Sequence, residues 1–196
     1  MAIKKITLPA SEEDMRALHC GDVVEVTGVM VTGRDSVHKY LVENDDQEAR
    51  DLIDGTFIYH CGPVVRQDET GEWHFVAAGP TTSIREEPYQ GEVFKRYGVR
   101  AAIGKGGMGP KTLQACQDLG CCYLHAIGGL AVILAQSVKK VREVRWLEEF
   151  GSPEAMWVLD VVDFPVIVTM DSHGKSLHAD VRAASEANYT EIMARK

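Results

Sequence analysis

The stretch AGPTTSIREEPY, residues 78–89, places three hydroxyls (Thr81, Thr82, Ser83) and the guanidinium of Arg85 directly behind a Gly-Pro turn. Hydroxyl donors and a planar cation in so short a span suit an oxyanion. Two further strand-exit loops carry cations: TGRDSVHK (32–39) with Arg34, and GKGGMG (104–109) with Lys105. Ligands of α/β proteins collect at such loops. Arg grips a carboxylate by two contacts, Lys acts as a mobile point charge, and backbone N–H groups at a helix start add an uncharged anion site. Two arginines and a lysine converging would suit a small ligand with two carboxylates. Each loop also has a plain structural reading. Arg34-Asp35 reads as a local surface pair, and Thr-Thr-Ser taken alone reads as helix caps. The case rests on all three loops having the same content.

Other candidate groups carry less. GKGGMGPKT (104–112) approaches a Walker phosphate loop, but Pro110 displaces the lysine by one residue and removes an N–H, which argues against nucleotide binding. The five cysteines, Cys20, Cys61, Cys116, Cys121 and Cys122, lack metal-knuckle spacing and read as buried, reduced thiols. No metal ligand is assigned to this chain. His38 lies near Arg34 and is a candidate lining residue. His60 and His125 sit in apolar runs and read as core histidines, whereas His19, His74, His173 and His178 read as solvated. Asp163 and Asp171 read as turn formers.

The elements that must position these groups alternate between strand and helix. Residues 9–19 read as a short helix with Ser11 as N-cap and Asp14 three residues on. Residues 21–33 read as strands or a hairpin, 36–44 as a helix, and 57–65 and 73–80 as strands. Residues 93–98 read as a helix closed by Gly98, 99–104 as a buried strand, and 110–120 as a helix opened by Pro110 and closed by Gly120. Residues 130–150 have the length of one helix with KKVREVR as its solvated face. Residues 156–174 read as a strand pair, and the tail as a final helix. The expectation is one mixed α/β domain over residues 1–196, all-β-like before residue 80.

Composition narrows the function. The chain has 196 residues, 45% hydrophobic and 26% charged, ordinary for a globular protein. A net charge of −8 argues against nucleic acid as a partner and requires any anion site to concentrate its cations locally. The start, MAIKKITLPASEED, has no apolar core of a secretory signal, and the run AIGGLAVILA (126–135) is too short to span a bilayer. A cytoplasmic location away from the membrane is expected.

In order, GDVVEVTG, TGRDSVHK, YHCGPV, AGPTTSIR, VRAAIGKGGMG and MWVLDVVDFPVIVTMDSHG closely resemble the iron–sulfur hydro-lyases, the class I fumarases and L-tartrate dehydratases. The match is to the β subunit, equivalent to the C-terminal domain of single-chain enzymes, and runs over roughly residues 10–175. The resemblance implies a swivelling β/β/α domain and reversible hydration of a four-carbon dicarboxylate, fumarate first and L-tartrate second. It further implies a 4Fe–4S cluster, with one iron acting as Lewis acid, held by an α subunit in a heterotetramer or similar assembly. The implied substrate contacts are Arg34, Thr82, Arg85 and Lys105, and Thr81 is the implied proton-transfer residue. A Thr hydroxyl is a weak base and would need a partner group, such as an Asp of another subunit. The sequence departs from the family at Glu86, where Met is common, and at Ile84, where a small residue is common. Both departures bear on substrate identity more than on reaction class. A stand-alone dicarboxylate-binding or regulatory module is the alternative.

Overall fold

The computed structural model describes residues 2–195. Its strands are β1 (Lys4–Thr7), β2 (Val23–Thr32), β3 (Phe57–Tyr59), β4 (Val64–Gln67), β5 (Trp73–Ala77), β6 (Ala101–Gly104), β7 (Cys122–His125), β8 (Val138–Arg145) and β9 (Met156–Met170). The helices are α1 (Glu12–Arg16), α2 (Asp35–Glu43), α3 (Gln47–Ile53), α4 (Gln90–Tyr97), α5 (Pro110–Leu119), α6 (Ala131–Gln136), α7 (Leu147–Phe150) and α8 (Leu177–Ala194), with a 3₁₀ turn at Ser83–Glu86. The fold is mixed α/β. Three helices precede residue 80, so the expectation of an all-β-like start is corrected.

Strands β2, β3, β6 and β7 run parallel, and β9 lies antiparallel to both β7 and β2, which closes these five strands into a ring. Period-two alternation splits each strand between two cores. Phe57, Tyr59, Ile103 and Leu124 enter one apolar cluster. Ile58, Ala102 and Tyr123 enter the other, against Val37 and Leu41 of α2, Phe94 and Tyr97 of α4, and Cys116 of α5. Helices α4 and α5 each end on a left-handed glycine, Gly98 and Gly120, as the sequence predicts. The Ser11–Asp14 capping box opens α1.

Three expectations fail for backbone reasons. Residues 130–150 form α6, β8 and α7, not one helix. Val138, Val141 and Val144 recur every three residues, which imitates a helical face. On β9 their partners Val161, Leu159 and Trp157 recur every two, and register shifts in β8 absorb the difference. KKVREVR is therefore part of a bulged strand. Residues 156–170 form one continuous strand, not a pair: the left-handed Asp163 (φ 50°) absorbs the break that DFP suggests. Residues 23–32 likewise form one strand, kinked at Gly28 (φ 129°), rather than a hairpin.

Gly28 also shows a close approach. A Cβ there would lie 2.8 Å from the backbone oxygen of Leu8, whereas a Cβ at Gly21, also left-handed, meets nothing within 4 Å. In chemical denaturation, Gly21→Ala should cost about 1 kcal/mol from backbone strain alone. Gly28→Ala should cost about 3 kcal/mol, because strand and neighbour must also separate. Equal losses would mean that β1 does not press on β2.

Candidate functional site

The site grows from the carboxyl ends of β2, β3 and β6. The GPTTSIR segment opens no α-helix; it runs extended up to Thr82 and then enters the 3₁₀ turn at Ser83. It is a short extended wedge: Thr81 N–H donates to the His60 carbonyl (2.7 Å), Lys105 N–H to the Thr81 carbonyl (3.2 Å) and Ser83 N–H to the Lys105 carbonyl (3.0 Å). Two of the expected loops are thus stitched together at the ends of β3 and β6. Those amides are spent on the chain itself, so they offer no anion site. Thr82 precedes the 3₁₀ turn without a side-chain cap, and the helix-cap reading is corrected too.

Ser83 anchors the wedge. Its Oγ lies 1.9 Å from where a Gly104 Cβ would stand, so only glycine lets the two segments meet. That Oγ accepts the Tyr123 hydroxyl (2.9 Å) and faces His60 Nδ1 at 2.8 Å. His38 Nδ1 lies 2.9 Å from the Arg34 carbonyl and so carries a proton. Burial holds His38 below its usual range, and burial together with His38 brings His60 down to about 3. Both rings are therefore neutral; the Nδ1 proton makes His38 Nε2 an acceptor, and we assign His60 the same tautomer, its Nδ1–H donating to Ser83 Oγ. The Gln90 side-chain oxygen stands 2.9 Å from each Nε2, while the Gln90 amide nitrogen has no partner. A half-turn of the carboxamide gives each ring a donor, and we assign it so. The buried chain Tyr123–Ser83–His60–Gln90–His38 then ends on the backbone of Arg34 and ties the third loop to the other two. Sequence reasoning missed Gln90, whereas its reading of His60 as a core histidine holds: the ring is fully buried and both nitrogens have partners.

The cations are braced by carboxylates. Arg34 pairs with Glu154 (3.1 Å) and lies over Gly62, where a Cβ would fall 2.5 Å from its Nη1. Arg85 Nη2 pairs with Asp35. Arg34 and Asp35 are therefore not a local pair. Burial alone would raise the Asp35 carboxyl, but a hydrogen bond from Glu86 and the charges of Arg85 and Arg34 hold it below its usual range. Lys105, half-buried, forms no ion pair among the described residues. Thr81 is half-buried, and Thr82, Ile84 and Arg85 are exposed. Glu86 is fully buried, so this departure lies beneath the surface and only Ile84 lies on it. None of Arg34, Thr81, Thr82, Arg85 or Lys105 lines the neighbouring cleft of about 650 Å³, which Ile84, Gly106, Met108 and His178 help to form. Thr82 and Arg85 are thus open to solvent, while Arg34, Thr81 and Lys105 are half-buried outside that cleft.

The Walker-like loop holds an anion of its own. The Glu87 carboxylate accepts N–H groups from Gly109 (2.8 Å) and Lys111 (2.9 Å) and the Thr112 hydroxyl (2.6 Å) at the start of α5. A phosphate would have to displace it. Cys121 and Cys122 belong to opposite cores, and burial pushes their thiols up to about 12. Adjacent thiols that diverge into opposite cores do not fit a shared cluster. His178 is partly buried on Thr169 (3.0 Å), not solvated. Asp171 takes the N–H groups of Cys20, His173 and Lys175, as a turn former does.

His38 and His60 set a pH dependence. An unfolded histidine takes a proton below about pH 6.5, and these buried rings refuse it. Their destabilising effect is absent above that pH and grows as pH falls, for His60 down to about 3. Unfolding free energy should drop by up to about 1.4 kcal/mol per pH unit for His60 in that window, with His38 acting in the same direction. Denaturant midpoints measured across the window test this, and a profile that His60→Asn leaves unchanged would place the protons elsewhere.

The family described as Fumarase C-terminus matches residues 2–181. A Geobacillus stearothermophilus protein named "Putative fumarate hydratase class I" is 55% identical over 177 residues, 90% of this chain but 34% of that protein. The chain thus spans about a third of that relative. The "L(+)-tartrate dehydratase subunit beta" of Escherichia coli (strain K12) is 40% identical over 178 residues, 90% of this chain and 87% of that subunit. The chain belongs to the fumarase C-terminus family.

Proposed function

We propose that the chain is the β subunit of an iron–sulfur hydro-lyase that adds water to, or removes it from, a four-carbon dicarboxylate. The observation that carries this reading is that the loops bearing Arg34, Arg85 and Lys105 are tied together at the ends of β2, β3 and β6, with each guanidinium braced by a carboxylate of this chain. A braced guanidinium keeps donors free for a second carboxylate, and its rigidity lowers the entropy cost of binding. Fumarate and malate come first as substrates, because the relative bearing the fumarase name is more similar (55% against 40%). L-Tartrate comes second.

On this reading Arg34, Arg85 and Lys105 orient the two carboxylates, and Thr82 contributes a hydroxyl at the rim. Thr81 handles the proton at the carbon next to one carboxylate. Its backbone is fixed at both N–H and C=O, and its hydroxyl makes no hydrogen bond among the described residues. The group that shares its proton then comes from the other chain. The cysteines of this chain do not fit a cluster, so the 4Fe–4S group, which supplies Lewis-acid chemistry when present, is assigned to an α subunit. That subunit would close over these loops in a heterotetramer or similar assembly. We further infer that residues 1–196 form one swivelling β/β/α domain. The five free cysteines, four of them buried, suit the reducing cytoplasm, and no helix among the described residues is long and apolar enough to cross a membrane.

In the assembled complex Arg85→Ala should lower kcat/KM for malate by about 10²-fold or more while size-exclusion still shows assembly. Near-normal turnover would remove the site assignment. If the protein from its native host proves solitary and iron-free yet binds malate in calorimetry, it is the stand-alone binding module instead.

A further inference from the structure

Beneath Arg85 lie two carboxyl groups whose buried oxygens find no donor in the surrounding groups. Glu86 is wholly buried, and neither of its oxygens meets an N–H or hydroxyl donor. Asp35 Oδ1 is buried and equally unpartnered, while Asp35 Oδ2 takes the Arg85 guanidinium. His38 Nδ1 stands 3.9 Å from Glu86 Oε2, but its proton is committed to the Arg34 carbonyl. Three buried acceptor oxygens without a donor are costly, and two adjacent buried carboxylates cost more. One proton between them removes the second penalty and serves two of the three oxygens.

We propose that Glu86 is a positioning residue: as a neutral carboxylic acid it donates a hydrogen bond to Asp35 and thereby fixes the carboxylate that aims Arg85. The inference rests on the reading that Arg85 binds a substrate carboxylate. It adds that the direction of Arg85 is set by a proton hidden behind it. The charged and titratable groups facing Glu86 decide which carboxyl keeps that proton. Asp35 and His38 face it from α2, Glu154 from the segment before β9, and Arg85 from its own 3₁₀ turn. Asp35 has the guanidinium and stays ionised. Glu86 has burial against it first and the Asp35 hydrogen bond and charge next, and is pushed up to about 9. The Asp35–Glu86 contact therefore holds through neutral pH. It is lost as pH rises through about 9, when the second carboxylate forms and repels the first.

Two measurements test this. Infrared difference spectra of the full chain, wild type minus Glu86→Gln, should show the carbonyl stretch of a protonated carboxylic acid at neutral pH, fading as pH passes about 9. Absence of that band at neutral pH overturns the inference. In the assembled complex, Glu86→Met cannot donate and should raise KM for malate about tenfold with kcat changed by less than about twofold. Glu86→Gln keeps an N–H donor, so its KM should stay within about twofold of wild type and lose the alkaline rise that wild type shows. A Gln variant as impaired as the Met variant, or one that keeps the alkaline rise, overturns the role. An Arg85→Ala complex with unchanged KM would overturn the carboxylate-binding reading and this inference with it. The infrared band separates that failure from a missing proton, and it also decides if the Met variant does not fold.

Discussion

The Ser83 hydroxyl lies where a side chain at Gly104 would begin, and the geometry of the stitched loops follows from that contact. Closing residues 80–83 against the ends of β3 and β6 leaves no space for a Cβ, so the wedge has essentially one seat. From that seat Thr81 is held between His60 and Lys105 by backbone hydrogen bonds. Arg85 is carried forward by the 3₁₀ turn to meet Asp35 at the start of α2. A close-packed backbone contact thus does what a flexible loop cannot: it fixes the relative positions of groups from three distant parts of the chain.

The buried histidines extend the constraint sideways. A neutral imidazole donates through one nitrogen and accepts through the other, so a row of them transmits hydrogen-bond direction as well as distance. Arg34's carbonyl requires a proton on His38 Nδ1, which makes His38 Nε2 an acceptor and turns the Gln90 amide toward it. The same amide fixes His60, and His60 with Tyr123 saturates the Ser83 oxygen. Each group has few alternatives once the first is set. Such a network rigidifies only when complete, and loss of one member leaves buried partners unsatisfied.

Much of this was legible in the sequence wherever the signal was local. Ser11 with Asp14, Gly98 after α4, and Pro110 with Gly120 around α5 mark their own boundaries. The cations Arg34, Arg85 and Lys105 announced themselves because they sit in loops after apolar strands. Illegible were features that exist only once strands pair. The valines of β8 keep a helical spacing that bulges against β9 convert into one face. The carboxylates that brace the cations are remote as well. Glu154 lies 120 positions from Arg34 (154 − 34), and Asp35 lies 50 from Arg85. Glu86 was visible only as a departure beside Arg85, because its protonation depends on burial that no short stretch encodes.

The acidity of the whole chain gives these braces a further consequence. With a net charge of −8, cations gathered for an anionic ligand are liable to capture by the protein's own carboxylates. The three stitched loops carry three cations, Arg34, Arg85 and Lys105, of which Arg34 and Arg85 meet Glu154 and Asp35, with Glu86 behind Asp35. Were all three carboxyls ionised, the loops would be locally neutral and would have little attraction for a dicarboxylate. With the proton held by Glu86 the balance is three positive charges against two negative, and Lys105 has no acidic partner among the described residues. The same proton that lets Asp35 hold Arg85 therefore also leaves the loops net positive. Rigidity and charge, which oppose each other when every cation is fully paired, are here reconciled by keeping one buried acid neutral.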